Sequence, residues 1–201
     1  MKPARIINLL AKFLLAALLV YGALNQNLSQ FHGKGMNTRV WAYMIPVVLL
    51  PLIWLCLGKA RRVRWPYPDV IDICLVAPFL LDTAGNALNL YDSIDWFDDA
   101  MHTLTWIPWV VAFGLLLHYA RPPLPKWAHF GVTLAFGAVT HILWEEAEYL
   151  AFIRYSKELA TAYTDTLGDL AMSLLGSTIG SLLVVTVLWQ AGQAIAQRRT
   201  D

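Results

Sequence analysis

The sequence predicts an all-α, polytopic membrane protein: six transmembrane helices in one bundle, with both termini cytoplasmic. Three observations predict it. Of 201 residues, 58% are hydrophobic and only 14% charged, at a mean hydropathy of +0.51, which is too apolar for a soluble globular domain. Six apolar stretches each approach or exceed the ~20 residues that a helix needs to cross the hydrocarbon core. Lys and Arg collect on alternate connections, as the positive-inside rule requires.

The first span, Ile6–Leu24, follows Lys2 and Arg5. It is longer than the apolar core of a signal peptide and no small-x-small cleavage site follows, so it reads as an uncleaved span. Gly33 and Gly35 break the chain before the second, Val40–Leu57. Pro66 and Pro68 precede the third, Val70–Leu90, and the fourth is Trp96–Tyr119. Pro122, Pro123 and Pro125 punctuate the way to the fifth, Trp127–Phe152, and the sixth is Thr166–Ala194. Pro46, Pro51 and Pro78 fall inside spans, where they kink helices and free backbone carbonyls. Trp65, Trp96 and Trp127 stand at span ends, as an aromatic belt would place them. No internal repeat or second domain interrupts residues 1–201.

Lys2, Arg5, Lys12, Lys59, Arg61, Arg62, Arg64, Arg121, Lys126, Arg198 and Arg199 fall on one side, against Lys34, Arg39, Arg154 and Lys157 on the other. That imbalance predicts a multi-pass membrane protein with the N- and C-termini inside. A net charge of +1 leaves no basic surface for nucleic acid. Cys56 and Cys74 lie in apolar segments and read as buried free thiols.

Carboxylates are distributed the opposite way. Asp69, Asp72 and Asp201 belong to the cytoplasmic side; the other eleven, from Asp82 to Asp169, belong to the outer side. Ionisable groups inside a membrane span face water, pair, or hold an ion. Asp82 lies roughly 18 Å and His141 roughly 21 Å along their spans, at 1.5 Å per residue. Helical phase puts Asp82, Asn86 and Asn89 on one face of the third span. The fourth span offers Asp95, Asp99 and His102 with Asp98 beside them, the fifth His141, Glu145 and Glu148, and the sixth Asp165 and Asp169, continued by Ser173, Ser177 and Ser181. Four such stripes can line one cavity.

Facing helices that present carboxylates and imidazoles build metal sites. The expected ligands are Asp98, His102, Glu145, Glu148, Asp165 and Asp169, with Asp82 and His141 as catalytic acid/base or supporting groups. This donor set suits a divalent ion, Zn, Mn or Fe rather than Mg or Ca. No Lys or Arg is expected at the depth of these carboxylates; Arg154 and Lys157 are the nearby basic candidates. Asp92, Asp95 and Asp99 read as helix-start or solvated residues, Glu146 as interfacial, and His118 and His129 as interfacial at the cytoplasmic ends.

Three stretches resemble the YjdF-like family of bacterial inner-membrane proteins. Phe97-Asp98 with His102 is similar to its aromatic-Asp-x-x-x-His motif. Trp144-Glu145 with Glu148-Tyr149 is similar to its aromatic-Glu-x-x-Glu-aromatic motif. Asp165-Thr166 with Asp169 is similar to its Asp-Thr-x-x-Asp motif, followed by Gly176. Met101 and Tyr149 depart from it, standing where a small residue and Trp are expected. The resemblance runs from about Asp82 to Gly180, implies a compact six-helix membrane protein, and favours Asp98 over Asp99 as the partner of His102. It implies no activity.

The function expected is a metal-dependent enzyme acting on a membrane lipid or lipid-linked substrate. The alternatives are a proton- or cation-coupled transporter, and a non-catalytic subunit of a membrane complex. Gly176 and Gly180 form a GxxxG pattern that allows close packing within the chain, or a homodimer or membrane-complex contact.

Overall fold

The computed structural model describes residues 2–61, 66–119, 124–151 and 153–197. Arg62, Arg64, Trp65, Arg121, Pro122, Pro123, Phe152, Arg198, Arg199 and Asp201 lie outside these residues, as do the side chains of Lys59, Arg61, Lys157 and Glu158. Among the described residues the chain is all-helical, with no strand.

The long helices are α1 (Pro3–Leu24), α2 (Met36–Arg61), α3 (Asp69–Ala87), α5 (Phe97–Leu117), α6 (Lys126–Ala151) and α7 (Ala162–Val185). A single turn, α4 (Leu90–Ser93), separates α3 from α5, and α8 (Trp189–Gln197) follows α7. Two 3-10 turns, Ile153–Tyr155 and Lys157–Ala160, link α6 to α7.

Five helices are long and apolar enough to cross a membrane: α1, α2, α3, α5 and α7. The 26 residues of α6 match that length, but His129, His141, Glu145, Glu146 and Glu148 make it more polar than the others. Two predicted boundaries move. The third span ends at Ala87 because Asn89 adopts the left-handed conformation (φ 58°), which starts the α4 turn. The predicted sixth span divides at Thr186–Leu188. Its 29 residues would make roughly 43 Å of helix, well beyond a core of about 30 Å. Leu188 N–H reaches back to the Leu183 carbonyl at 2.9 Å, and Trp189 opens a new helix.

α5 is the centre of the packing, set between α7 and α3; α6 lies against α7 and α5, and α1 against α3. The closest seam is α5 on α7. A Cβ on Gly176 would overlap the Thr103 carbonyl oxygen, and one on Gly180 would come within 2.9 Å of the Ile107 carbonyl oxygen. The GxxxG face is therefore occupied by α5 of the same chain, the intramolecular use of the motif.

α2 is seated more loosely. Pro46 and Pro51 lie within it, and Trp41, Ile45, Leu52 and Leu55 are exposed. Pro51 has no N–H for the Val47 carbonyl, and Lys12 Nζ donates to that oxygen at 2.8 Å. The same ammonium is 2.5 Å from Asp72, which also accepts from Asn8 at 2.8 Å and Tyr67 at 2.5 Å. Beside it, Arg5 pairs with Asp69 at 2.6 Å. Asp72 is fully buried, so Asp69 and Asp72 are helix-tying groups rather than solvated charges.

Candidate metal centre

His102 sits one turn inside the start of α5, on the face that meets α7. Its Nδ1 lies 3.2 Å from Ser173 Oγ, one turn along α7 from Asp169. Its Nε2 is 3.3 Å from Asp169 and 3.6 Å from Asp98. The i, i+4 spacing that resembled a family motif thus holds Asp98 and His102 on one side of α5. The Asp169 side chain is 7% exposed and that of Asp98 48%, so Asp98 forms the rim and Asp169 the floor.

α6 brings the second half. His141 and Glu145 are both buried and joined Nε2 to Oε1 at 2.9 Å. The His141 ring lies 5.4 Å from that of His102, and Trp106 packs edge-on against it at 5.2 Å. Two groups of potential ligands result, His102 with His141 and Glu145, and His102 with Asp98 and Asp169. Within each group the ligand atoms lie within 4.8 Å of one another.

Glu148 and Asp82 belong to an adjoining network. Arg39 of α2 pairs with Asp82 of α3, bonds Tyr43 Oη at 2.5 Å, and lies 3.8 Å from Glu148 of α6. Asp82 also accepts from Tyr43 at 2.8 Å, Tyr91 at 3.0 Å and Asn86 at 3.3 Å. Burial and the Asp82 carboxylate push the Tyr91 phenol well above its ordinary range, so it stays a donor. Asp165 is exposed, in the first turn of α7 and one turn before Asp169, and belongs to neither ligand group.

The structure corrects two sequence readings. A cation does sit among the carboxylates: Arg39, expected as a flanking charge, is 12% exposed and bound to Asp82. The available signal was its i, i+4 spacing from Tyr43 at the start of an apolar span, which puts both side chains on one face of α2. His129, expected at the interface, is buried, with Nε2 2.7 Å from the Gly114 carbonyl oxygen and His118 beside it. The expected outer residues fall into place otherwise: Asp92 pairs with Lys34 at 2.8 Å, and Asp95, Asp99 and Glu146 are exposed.

Fold and composition together define a multi-pass membrane protein with apolar helices and a polar end. The family model of a predicted membrane protein, DUF2238, matches residues 7–190, and the chain belongs to that family. This is consistent with the YjdF-like resemblance of its motifs. No curated protein and no solved structure matches the chain.

Proposed function

We propose that this chain is a single six-span domain of a bacterial inner membrane, N-in and C-in, that binds a divalent metal ion at its outward end and acts there on a lipid or lipid-linked substrate. The observation that carries the reading is the convergence of His141, Glu145, Asp98 and Asp169 on His102 from three helices. Three carboxylates that close need a cation or shared protons in a low dielectric. Among the described residues no Lys or Arg pairs with Asp98, Glu145 or Asp169; Arg39 is committed to Asp82 and Glu148. Two imidazoles among carboxylates suit Zn, Mn or Fe better than the all-oxygen preference of Mg or Ca. The count of six spans includes α6, whose polar face is turned to α5 and α7.

A bound ion would supply Lewis acidity here, for activating water or polarising a phosphoryl or acyl oxygen. His102, Asp169 and Asp98 would hold it from α5 and α7. Ser173 fixes the ring of His102, leaving Nε2 toward the carboxylates. His141, oriented by Glu145, is the proton acceptor, and that carboxylate stabilises the imidazolium formed. Arg39, clamped by Asp82 and Tyr43, places positive charge beside the centre, and Glu148 is poised between the two networks. Elemental analysis of protein purified without chelators, then titration with Zn, Mn and Fe(II), tests the reading. An ion bound by the wild type and lost in His102→Ala supports it; none bound and none gained overturns it.

A second reading has its own observation: α3 carries an ion pair toward each end, Asp72 with Lys12 and Asp82 with Arg39. Titratable pairs at two depths suit a proton- or cation-coupled carrier. Ion flux into proteoliposomes that Asp82→Asn abolishes favours it; ion-tight proteoliposomes rule it out.

A further inference from the structure

At the end of α5 away from His102, two imidazoles meet a short helix that is seated by one face. His118 caps α5, His129 lies in the first turn of α6, and their rings stand 4.5 Å apart. Both reach one acceptor, the Gly114 carbonyl oxygen, His118 through Nδ1 at 3.1 Å and His129 through Nε2 at 2.7 Å. A carbonyl only accepts, so each neutral ring carries its proton on the nitrogen that faces Gly114. His118 Nε2 is then a bare lone pair, and that atom is buried with no hydrogen-bond partner.

α8 covers it. A Cβ on Gly192 would fall 2.4 Å from His118 Nε2 and 2.3 Å from Cε1, so the α8 backbone rests on the edge of the ring that bears the lone pair. Trp189 packs edge-on against His118 at 5.1 Å and His129 at 5.3 Å. Gly192 is buried and Trp189 half-buried, while Gln190, Ala191, Gln193 and Ala194 are exposed. Protonating Nε2 sets a new N–H and a positive charge against a glycine methylene, which offers no acceptor. The ionisable groups nearby are His129 and Lys126 of α6, the latter with its ammonium 5.3 Å from the Trp189 centroid, and neither compensates that charge. Residues 181–194 of α7 and α8 contain no ionisable side chain. The histidine–carboxylate pairs among the described residues all belong to His102 or His141. Burial first, then the His129 ring, hold the His118 imidazole below its ordinary range.

We propose that His118 is a proton-operated latch for α8: the neutral ring seats Gly192 and Trp189, and protonation of Nε2 releases the helix. The released state binds the proton more tightly than the seated one. Seating is therefore full above the free-imidazole value of ~6.5 and weakens as pH falls below it. The latch stands or falls independently of the metal centre.

The test is electron paramagnetic resonance of a nitroxide at Gln193→Cys in the full chain, with Cys56→Ser and Cys74→Ser, reconstituted in nanodiscs. The released-to-seated ratio should rise by up to about thirtyfold from pH 8 to pH 5, the factor that one proton on a group of pKa ~6.5 supplies. His118→Gln keeps an N–H donor but takes up no proton, so its spectrum should be constant over that range. Gly192→Leu, whose side chain overlaps the His118 ring, should give the released spectrum already at pH 8. A wild-type ratio that is constant from pH 8 to pH 5 overturns the latch, whether or not the variants fold. A pH response that His118→Gln retains overturns it equally.

Discussion

Replacing Arg39 with Ala removes the cation that Asp82 and Glu148 share, and the structure sets the size of the effect. Arg39 and Asp82 are 12% and 16% exposed, so the pair is largely withdrawn from solvent. Breaking a buried pair from one side costs about 3–5 kcal/mol, because the remaining charge stays desolvated. Asp82 keeps Tyr43, Tyr91 and Asn86 as neutral donors, which places the expected loss near the lower end, ~3 kcal/mol. Lys34→Ala is the internal control: its partner Asp92 is 45% exposed, and such a pair contributes only ~0.2–1 kcal/mol. The assay is equilibrium unfolding in bicelles for wild type, Arg39→Ala, Asp82→Asn, the double variant and Lys34→Ala. A coupling energy between Arg39 and Asp82 well above that of the Lys34 control is expected. Equal small losses for Arg39→Ala and Lys34→Ala, with no coupling in the double variant, would refute the placement of Arg39 among the carboxylates.

Other perturbations test the packing and the network around Asp72. Gly176→Val should prevent α5 from seating on α7 and abolish folding or lower yield sharply by size-exclusion chromatography, while Gly131→Val, with open space around it, should behave as wild type. Lys12→Met leaves the buried Asp72 without its ammonium and the Val47 carbonyl without its donor, and should cost at least about 3 kcal/mol in the same unfolding assay. Tyr67 and Tyr91 hold their protons above the ordinary tyrosine range, through burial followed by the neighbouring carboxylates Asp72 and Asp82. In the unfolded chain those phenols ionise near pH ~10, so their stabilisation is full below that pH and is lost as pH rises past it. Ultraviolet titration should show Tyr67 and Tyr91 ionising later in the folded protein than in the unfolded chain, a difference reduced in the Tyr67→Phe and Tyr91→Phe variants; identical folded and unfolded titrations would contradict it.

The helical class, the rough position of each long helix and the gathering of polar groups at one end were legible because bilayer thickness and helical phase act directly on sequence. The i, i+4 pairs Asp98–His102 and His141–Glu145 were visible for the same reason. Which stripes meet was not, since that depends on rotation of helices about their axes. Asp82 and His141 looked equivalent in depth, yet one faces Arg39 and the other His102. Arg39 was misread because a charge at a span end looks the same in sequence whether it snorkels out or folds in. The break at Thr186–Leu188 carries no Pro or Gly, so only the excess length of the apolar stretch pointed to it.

Whether His102 anchors a divalent metal ion is read by Co(II) titration followed by visible absorption. Wild-type protein should gain ligand-field bands that saturate at stoichiometric cobalt and are displaced by Zn. His102→Ala should lose them, Asp169→Asn and Asp98→Asn should weaken and shift them, and Asp165→Asn, outside the ligand groups, should keep them. A wild-type spectrum no different from that of His102→Ala, across Co(II), Zn and Mn competition, would contradict the account.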